Sequence, residues 1–415
     1  MTTTIRRLLD LTVEDHTLTV PLVWGDASDG RTIDVFARVV TRDGGERLPY
    51  LVFLQGGPGH EAPRPFHSST SPAWLDEALA HYRVVMLDQR GTGLSTPVGD
   101  ADLAQGSAVV AEYLTHLRAD SIVRDCEAMR EHLGAETWSV LGQSFGGFTT
   151  LAYLSTDADS IADVFITGGL STVNRHPDDV YALCYDKMRS ASERYYRRFP
   201  EHRDAMRRLV DRADAGDIVL PDGEAVSPSR LRSVGSALGT NDGWQTVWSL
   251  LERDPSSNAF RHDLMHAMPY SGRNPLYFAF HESSYASGQA TRWSAERTEP
   301  QDFRDDVTLF TGEHIRREWT ETVPAFQPWR DVTVALADFE WPQIYNEVAL
   351  ASSGATGAAA VYVNDVYVPM EFSLETARLL PGVALWVTSE HEHNGVRSGP
   401  VLTHLIDLAH GRRIR

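Results

Sequence analysis

Two cysteines, one lysine and no long apolar run narrow the field before any motif is considered. Cys126 and Cys184 are too few for a disulfide framework. Lys187, the single lysine, leaves Schiff-base chemistry one candidate, and that one sits in a charged helical stretch. Nowhere does the chain hold the roughly 18 consecutive apolar residues that a membrane span needs. The start, Met1-Thr2-Thr3-Thr4-Ile5-Arg6-Arg7, lacks the apolar segment of a signal peptide, and no Asn-x-Ser/Thr acceptor occurs, so a cytoplasmic protein is expected. Positive charge is scarce: Lys+Arg 38 against Asp+Glu 57 gives a formal net charge of −19. Such a surface repels phosphate backbones and anionic lipid, which argues against nucleic acid and membrane partners and favours neutral or cationic ligands.

What is present suits a folded globular protein. Hydrophobic residues at 42% and charged residues at 23% exclude a disordered or fibrous chain. The first third alternates short apolar runs with turn residues: Thr32–Val40, Tyr50–Leu54 and Arg83–Leu87 read as strands, the last of these buried on both faces. Ala119–Leu133 carries Ile122, Val123, Cys126, Met129 and Leu133 on one helical face and stops at Gly134. Trp138–Leu141 and Asp163–Thr167 are strands again, with a helical pattern over Phe148–Leu154 between them. The alternation predicts an α/β fold, a mostly parallel sheet with helices on both faces. After about residue 172 the pattern turns helical, as in Asp178–Phe199 and Asp242–Glu252, before Ala358–Val363 and Val383–Val387 return as buried strands. The expected organisation is a core over 1–172 and 336–415, interrupted by a mainly helical insertion over 173–335.

The strongest chemical signal is Gly142-Gln143-Ser144-Phe145-Gly146-Gly147, placed between a strand and a helix as a nucleophile elbow requires. Serine at so sharp a turn needs small neighbours, and the following helix directs its positive end at a developing oxyanion. Gln55-Gly56-Gly57-Pro58-Gly59 follows an earlier strand and can turn a backbone N–H into the same site. Phe145 and Gly57 are therefore the expected oxyanion donors. Asp88-Gln89-Arg90-Gly91-Thr92-Gly93-Leu94-Ser95, after the strand Arg83–Leu87, reads mainly as a hydrogen-bonded support.

A serine nucleophile needs a base and the base an orienting acid, both after late strands in an α/β-hydrolase. Asp365 follows the run Ala358–Val363, and His391 and His393 both follow Val383–Val387. His393 is preferred because Asn394-Gly395 makes a tight turn able to present the ring. Neither histidine has a third ligand nearby in sequence, so no metal is expected.

With these motifs in order, the chain resembles the proline iminopeptidase (prolyl aminopeptidase) family of α/β-hydrolases; the pairing of GGPG with DQRGTG is more specific than Gly-x-Ser-x-Gly alone. The resemblance implies release of an N-terminal residue, preferably proline, from short peptides with a free amine, without a cofactor. It also implies a helical cap and the catalytic set Ser144, Asp365 and His393. Gln55 departs from the pattern, since many members have His there. An aminopeptidase must hold a cationic amine, and carboxylates in the cap would do so. Glu282 lies among Tyr277, Phe278, Phe280, Tyr285 and Trp293, which suits an amine clamp beside an aromatic pocket formed with Tyr285 and Trp293, and it resembles the amine-binding region of the family cap. Glu313 is a second candidate. The competing expectations are an esterase or amidase of this fold acting without a free amine, and a noncatalytic binding protein. Self-association into a homo-oligomer is left open.

Overall fold

A computed structural model describes residues 2–65 and 72–414. One nine-stranded sheet organises the chain, in the order β1-β2-β3-β5-β4-β6-β7-β8-β9. The strands are β1 (Thr2–Leu8), β2 (Leu11–Pro21), β3 (Thr32–Arg42), β4 (Tyr50–Leu54), β5 (Arg83–Leu87), β6 (Trp138–Gln143), β7 (Ile161–Thr167), β8 (Gly357–Tyr362) and β9 (Val383–Thr388). The first three run antiparallel and β3 meets β5 antiparallel; from β5 onward every pairing is parallel.

The two-residue period of a strand divides the apolar side chains between two cores. Val52, Leu54, Val85, Leu87, Val140, Val164, Ile166, Ala359 and Val361 point to one face, where the helices Ala119–His132 and Phe145–Thr156 cover them. Leu51, Phe53, Val84, Met86, Leu141, Phe165, Ala358 and Ala360 point to the other, under Leu75–His81 and Val401–Ala409. Each fully buried branched or aromatic side chain contributes about 1.5–3 kcal/mol, which is why these strands read as continuous apolar runs.

Two details depart from the sequence reading. Val383–Val387 was expected to be buried, yet β9 is the last strand of the sheet and alternates in exposure, with Leu385 at 36% and Val387 at 44%. The helix Val401–Ala409 covers one face of this edge strand and solvent meets the other. The second departure is β1, whose polar sequence Thr-Thr-Thr-Ile-Arg-Arg-Leu carries no strand alternation; it is held by pairing with β2, from Thr2 opposite Thr17 to Leu8 opposite Leu11.

Between β7 and β8 the chain is helical among the described residues, with only an isolated bridge between Val219 and Ala225. Its longest helix is Pro177–Arg198, capped by the His176 ring and started by Pro177. The expected boundary at 335 falls inside the helix Arg330–Asp338, and a further helix, Glu347–Ser352, precedes β8 and packs on Phe145–Thr156. No helix among the described residues is long and apolar enough to cross a membrane.

Candidate active site

The carboxyl ends of the parallel strands converge on one region, the place where open α/β sheets bind ligands. Gln55 and Gly57 follow β4, Asp88 follows β5, Ser144 follows β6, Gly168 and Gly169 follow β7, Asp365 follows β8 and His393 follows β9.

Ser144 has φ 55 and ψ −122, a strained conformation for a residue with a side chain. It is half-buried and makes no capping bond to the helix that starts at Phe145, so its hydroxyl is not tied up by that helix. The turn is fixed by Ser144 N–H donating to Thr167 O at 3.0 Å and by Gly147 N–H donating to Ser144 O at 2.7 Å. Gly146 is required by close approach: a Cβ there would lie 1.9 Å from the carbonyl oxygen of Leu54.

The glycine loop after β4 presses on this elbow. A Cβ on Gly56 would stand 2.4 Å from Gln143 Oε1 and 2.9 Å from Ser144 Cβ. Gly57, at φ 60, turns the next peptide. Among the described residues neither the Phe145 nor the Gly57 N–H is donated to a protein acceptor, which leaves both free for an oxyanion.

His393 Nδ1 lies 2.7 Å from Asp365 Oδ2. The other oxygen of Asp365 accepts the N–H groups of Tyr367 and Val368, both at 2.9 Å, so this buried carboxylate is held at both ends. Burial works against the charged imidazole, but the adjoining Asp365 outweighs it and His393 stands above its usual pKa of 6.5. Tyr367 covers the ring with centroids 4.8 Å apart. The glycine pair after β7 adjoins both the His393 ring and the Ser144 turn: a Cβ on Gly168 would lie 2.9 Å from His393 Nδ1, and one on Gly169 would lie 2.7 Å from Ser144 O. His391, the other histidine weighed as a base, instead packs edge-on to Trp386 and Tyr362 beside the edge strand.

The motif after β5 supports these loops. Asp88 accepts Ala62 N–H and Leu94 N–H, each at 3.0 Å, and pairs with Arg64. Gln89 Nε2 donates to Gln55 O at 2.8 Å, steadying the start of the glycine loop. Arg90 is fully buried against Asp125, at 2.6 Å, and donates to the carbonyls of Pro21, Leu22 and His116.

The two cap carboxylates differ in setting. Glu313 acts electrostatically on His393, accepts the Tyr277 hydroxyl, and lies 3.7 Å from His281 Nε2. Burial pushes His281 down to about 3, so it is neutral. Glu282 is fixed by the segment after it, accepting Ala295 N–H at 2.8 Å with further bonds from Thr291 and Ser294. Burial pushes both carboxylates up to about 7. Among the described residues neither has an arginine or lysine within ion-pair distance, a costly state for an ionised group unless a cation arrives. Tyr181 and Tyr270 feel both charges, and among the described residues Tyr181 Oη and both His281 nitrogens have no hydrogen-bond partner.

Tyr285 lies in the wall of this space, touching Phe148, Tyr181 and His281 and donating to Tyr367 O at 3.3 Å. Trp293 lines a small cavity with Glu282 and Thr291 and packs against an apolar cluster that includes Tyr270, Phe278 and Trp319. Arg292 and Trp293 both have positive φ, and this turn carries the indole to that cluster. Sequence reading missed Tyr181, His281, Tyr367 and Arg397, which lie on unremarkable helical or loop segments and acquire meaning only from what they meet in space.

The model of the alpha/beta hydrolase fold matches residues 49–213. The proline iminopeptidase of Aeromonas sobria is 37% identical over 403 residues, 92% of this chain and 93% of the relative. That of Aspergillus aculeatus is 31% identical over 404 residues, 91% and 89% of the two chains. That of Xanthomonas citri matches over a shorter span, 33% identical over 128 residues, 30% of this chain and 33% of the relative. With a near full-length match added to the sheet and the elbow, this chain belongs to the proline iminopeptidase family of α/β-hydrolases.

Proposed function

We propose that the protein is a serine aminopeptidase that releases N-terminal proline from short peptides through an acyl-enzyme, with the helical segment 173–335 as its cap, and that it works in the cytoplasm. One observation carries the substrate class: Glu282, buried, and Glu313, half-buried and acting on His393, are both raised to about 7, and among the described residues neither has an arginine or lysine within ion-pair distance. A substrate's ammonium group is the missing counter-charge, and a blocked amine would leave both carboxylates desolvated and unpaired. Glu313 is the nearer to His393 and takes the amine first; Glu282, anchored by the 291–295 turn, supplies the second carboxylate. Tyr285 shapes the wall of the pocket, and Trp293 acts from the cluster behind it.

In the first half-reaction His393, oriented by Asp365, takes the Ser144 proton as the hydroxyl attacks the scissile carbonyl. The N–H groups of Phe145 and Gly57 receive the negative oxygen. Protonated His393 then gives its proton to the leaving amine, and water, activated by the same ring, hydrolyses the acyl-enzyme. The test compares prolyl-β-naphthylamide with its N-acetyl derivative and with a p-nitrophenyl ester. Selective cleavage of the free-amine compound is expected; preference for the blocked compound or the ester overturns the reading.

A further inference from the structure

Four residues beyond His393, on the short helix Gly395–Ser398, Arg397 reaches back under the glycine loop. Its Nη2 donates to Gln55 Oε1 at 3.2 Å and to Gln143 Oε1 at 2.9 Å. Those glutamines are the residues immediately before Gly56 and before Ser144, and both are buried. Among the described residues no carboxylate pairs with this guanidinium; its neighbours offer amide oxygens alone. Arg397 as a whole is exposed, so what marks it is the commitment of its Nη2 to the side-chain oxygens of two buried glutamines.

We propose that Arg397 is a positioning residue of the oxyanion hole, one side chain that ties the loop of Gly57 to the elbow of Ser144 and is delivered by the segment carrying His393. The inference rests on the proposed reaction. Geometry supports it at each link. Gln89 fixes the backbone of Gln55 from β5, so the Gln55 side chain is left to set the lateral position of the loop. Gln143 Oε1, which accepts from Arg397, is also the atom that a Cβ on Gly56 would strike at 2.4 Å. The guanidinium thus locks the surface against which Gly56 packs, and a planar fork holds two acceptors at fixed spacing as an ammonium does not. A shift of the Gly57 N–H would be felt by the oxyanion and little by the ground-state carbonyl, because these donors act where charge develops.

The same residue bears on the base. His393 is faced by Asp365 from the β8 loop, Glu313 from the helical segment, the Tyr367 ring, and Arg397 from its own segment. Arg397 is the one cation of the set and opposes protonation of the ring.

The experiment measures prolyl-β-naphthylamide hydrolysis and the rate of fluorophosphonate labelling of Ser144 across pH, in the wild type, Arg397→Met, Arg397→Lys and Gln55→Leu. For Arg397→Met, kcat falls by about 10²-fold, of the order seen on losing one oxyanion donor, while KM stays within about twofold. Its labelling slows in parallel, and the acid limb of labelling moves to higher pH. Because the fluorophosphonate carries no amine, that limb reads His393 and not Glu313. Arg397→Lys keeps the limb in place and recovers part of kcat; Gln55→Leu loses kcat with the limb unmoved. The proposal is overturned if KM rises with kcat unchanged, or if the limb stays put in Arg397→Met. A wild type that labels but leaves the prolyl compound uncut sinks the aminopeptidase reading alone, and the labelling rates still decide the role of Arg397.

Discussion

Replacing Glu313 by glutamine should make the empty protein more stable and the enzyme far worse. The glutamine keeps the shape and an acceptor for Tyr277 while removing the charge. In the folded state the carboxyl has been displaced from 4.5 to about 7 by burial. Between these values the unfolded chain is ionised while the folded chain keeps its proton, so stability falls as pH rises and the deficit is complete above about 7. At about 1.4 kcal/mol per pH unit, the ionised carboxylate costs the fold about 3 kcal/mol. For 415 residues at about 2.1 cal/mol/K each, Glu313→Gln should raise Tm by about 4 °C at pH 8 if the chain melts as one unit. Near pH 4.5 the gain should vanish. Meanwhile the substrate's ammonium loses a buried partner, a loss of about 3–4 kcal/mol that lowers kcat/KM for prolyl-β-naphthylamide by about 10²–10³-fold. Thermal melts at the two pH values and steady-state kinetics decide the matter. A variant less stable than the wild type at pH 8, or equally shifted at both pH values, refutes the claim of an uncompensated buried charge.

Two further outcomes follow from the same geometry. Asp365→Asn should lower kcat by about 10⁴-fold by removing the charge that orients and stabilises the imidazolium. It should also move the acid limb of the pH profile down, since Asp365 is what holds His393 above 6.5 and a raised base loses activity as pH falls through its pKa; an unshifted limb measured by pre-steady-state acylation would contradict this. Asp125→Ala should cost about 3–5 kcal/mol in urea unfolding, because it leaves the fully buried Arg90 unpaired; a loss below 1 kcal/mol would show that the guanidinium finds other partners.

The sheet core and the elbow were legible because their residues are constrained locally. Tyr50–Leu54 and Arg83–Leu87 must be apolar at every position when both faces are covered, and Gly142, Ser144 and Gly146 must stand in one short run for the helix to pass under Leu54. Asp365 and His393, which the structure pairs, were picked by chain order and by the turns beside them. Edge position was not legible, since Val383–Val387 is as apolar as an inner strand and Leu385 and Val387 are exposed because solvent, not a helix, meets their face of this last strand. Nor were the contacts of the helical segment. Glu282 and Glu313 look alike in sequence, but the positive-φ turn at Arg292 and Trp293 commits Glu282 to backbone donors. Arg397 was invisible for the same reason: its acceptors, Gln55 and Gln143, are far away along the chain.

The placement of the proposed nucleophile and base on opposite sides of the long helical segment has a consequence for how activity first appears. Strand β7 carries Ser144's supporting carbonyl, but its partner β8, and β9 after it, leave the ribosome only after the whole helical segment. A chain halted or clipped before them has a hydroxyl and no proton acceptor. Closing so long a span adds little entropy cost beyond that of a medium loop, so the finished chain still pairs these strands. Under the proposed mechanism, hydrolytic power therefore switches on only once β8 and β9 have been made and docked.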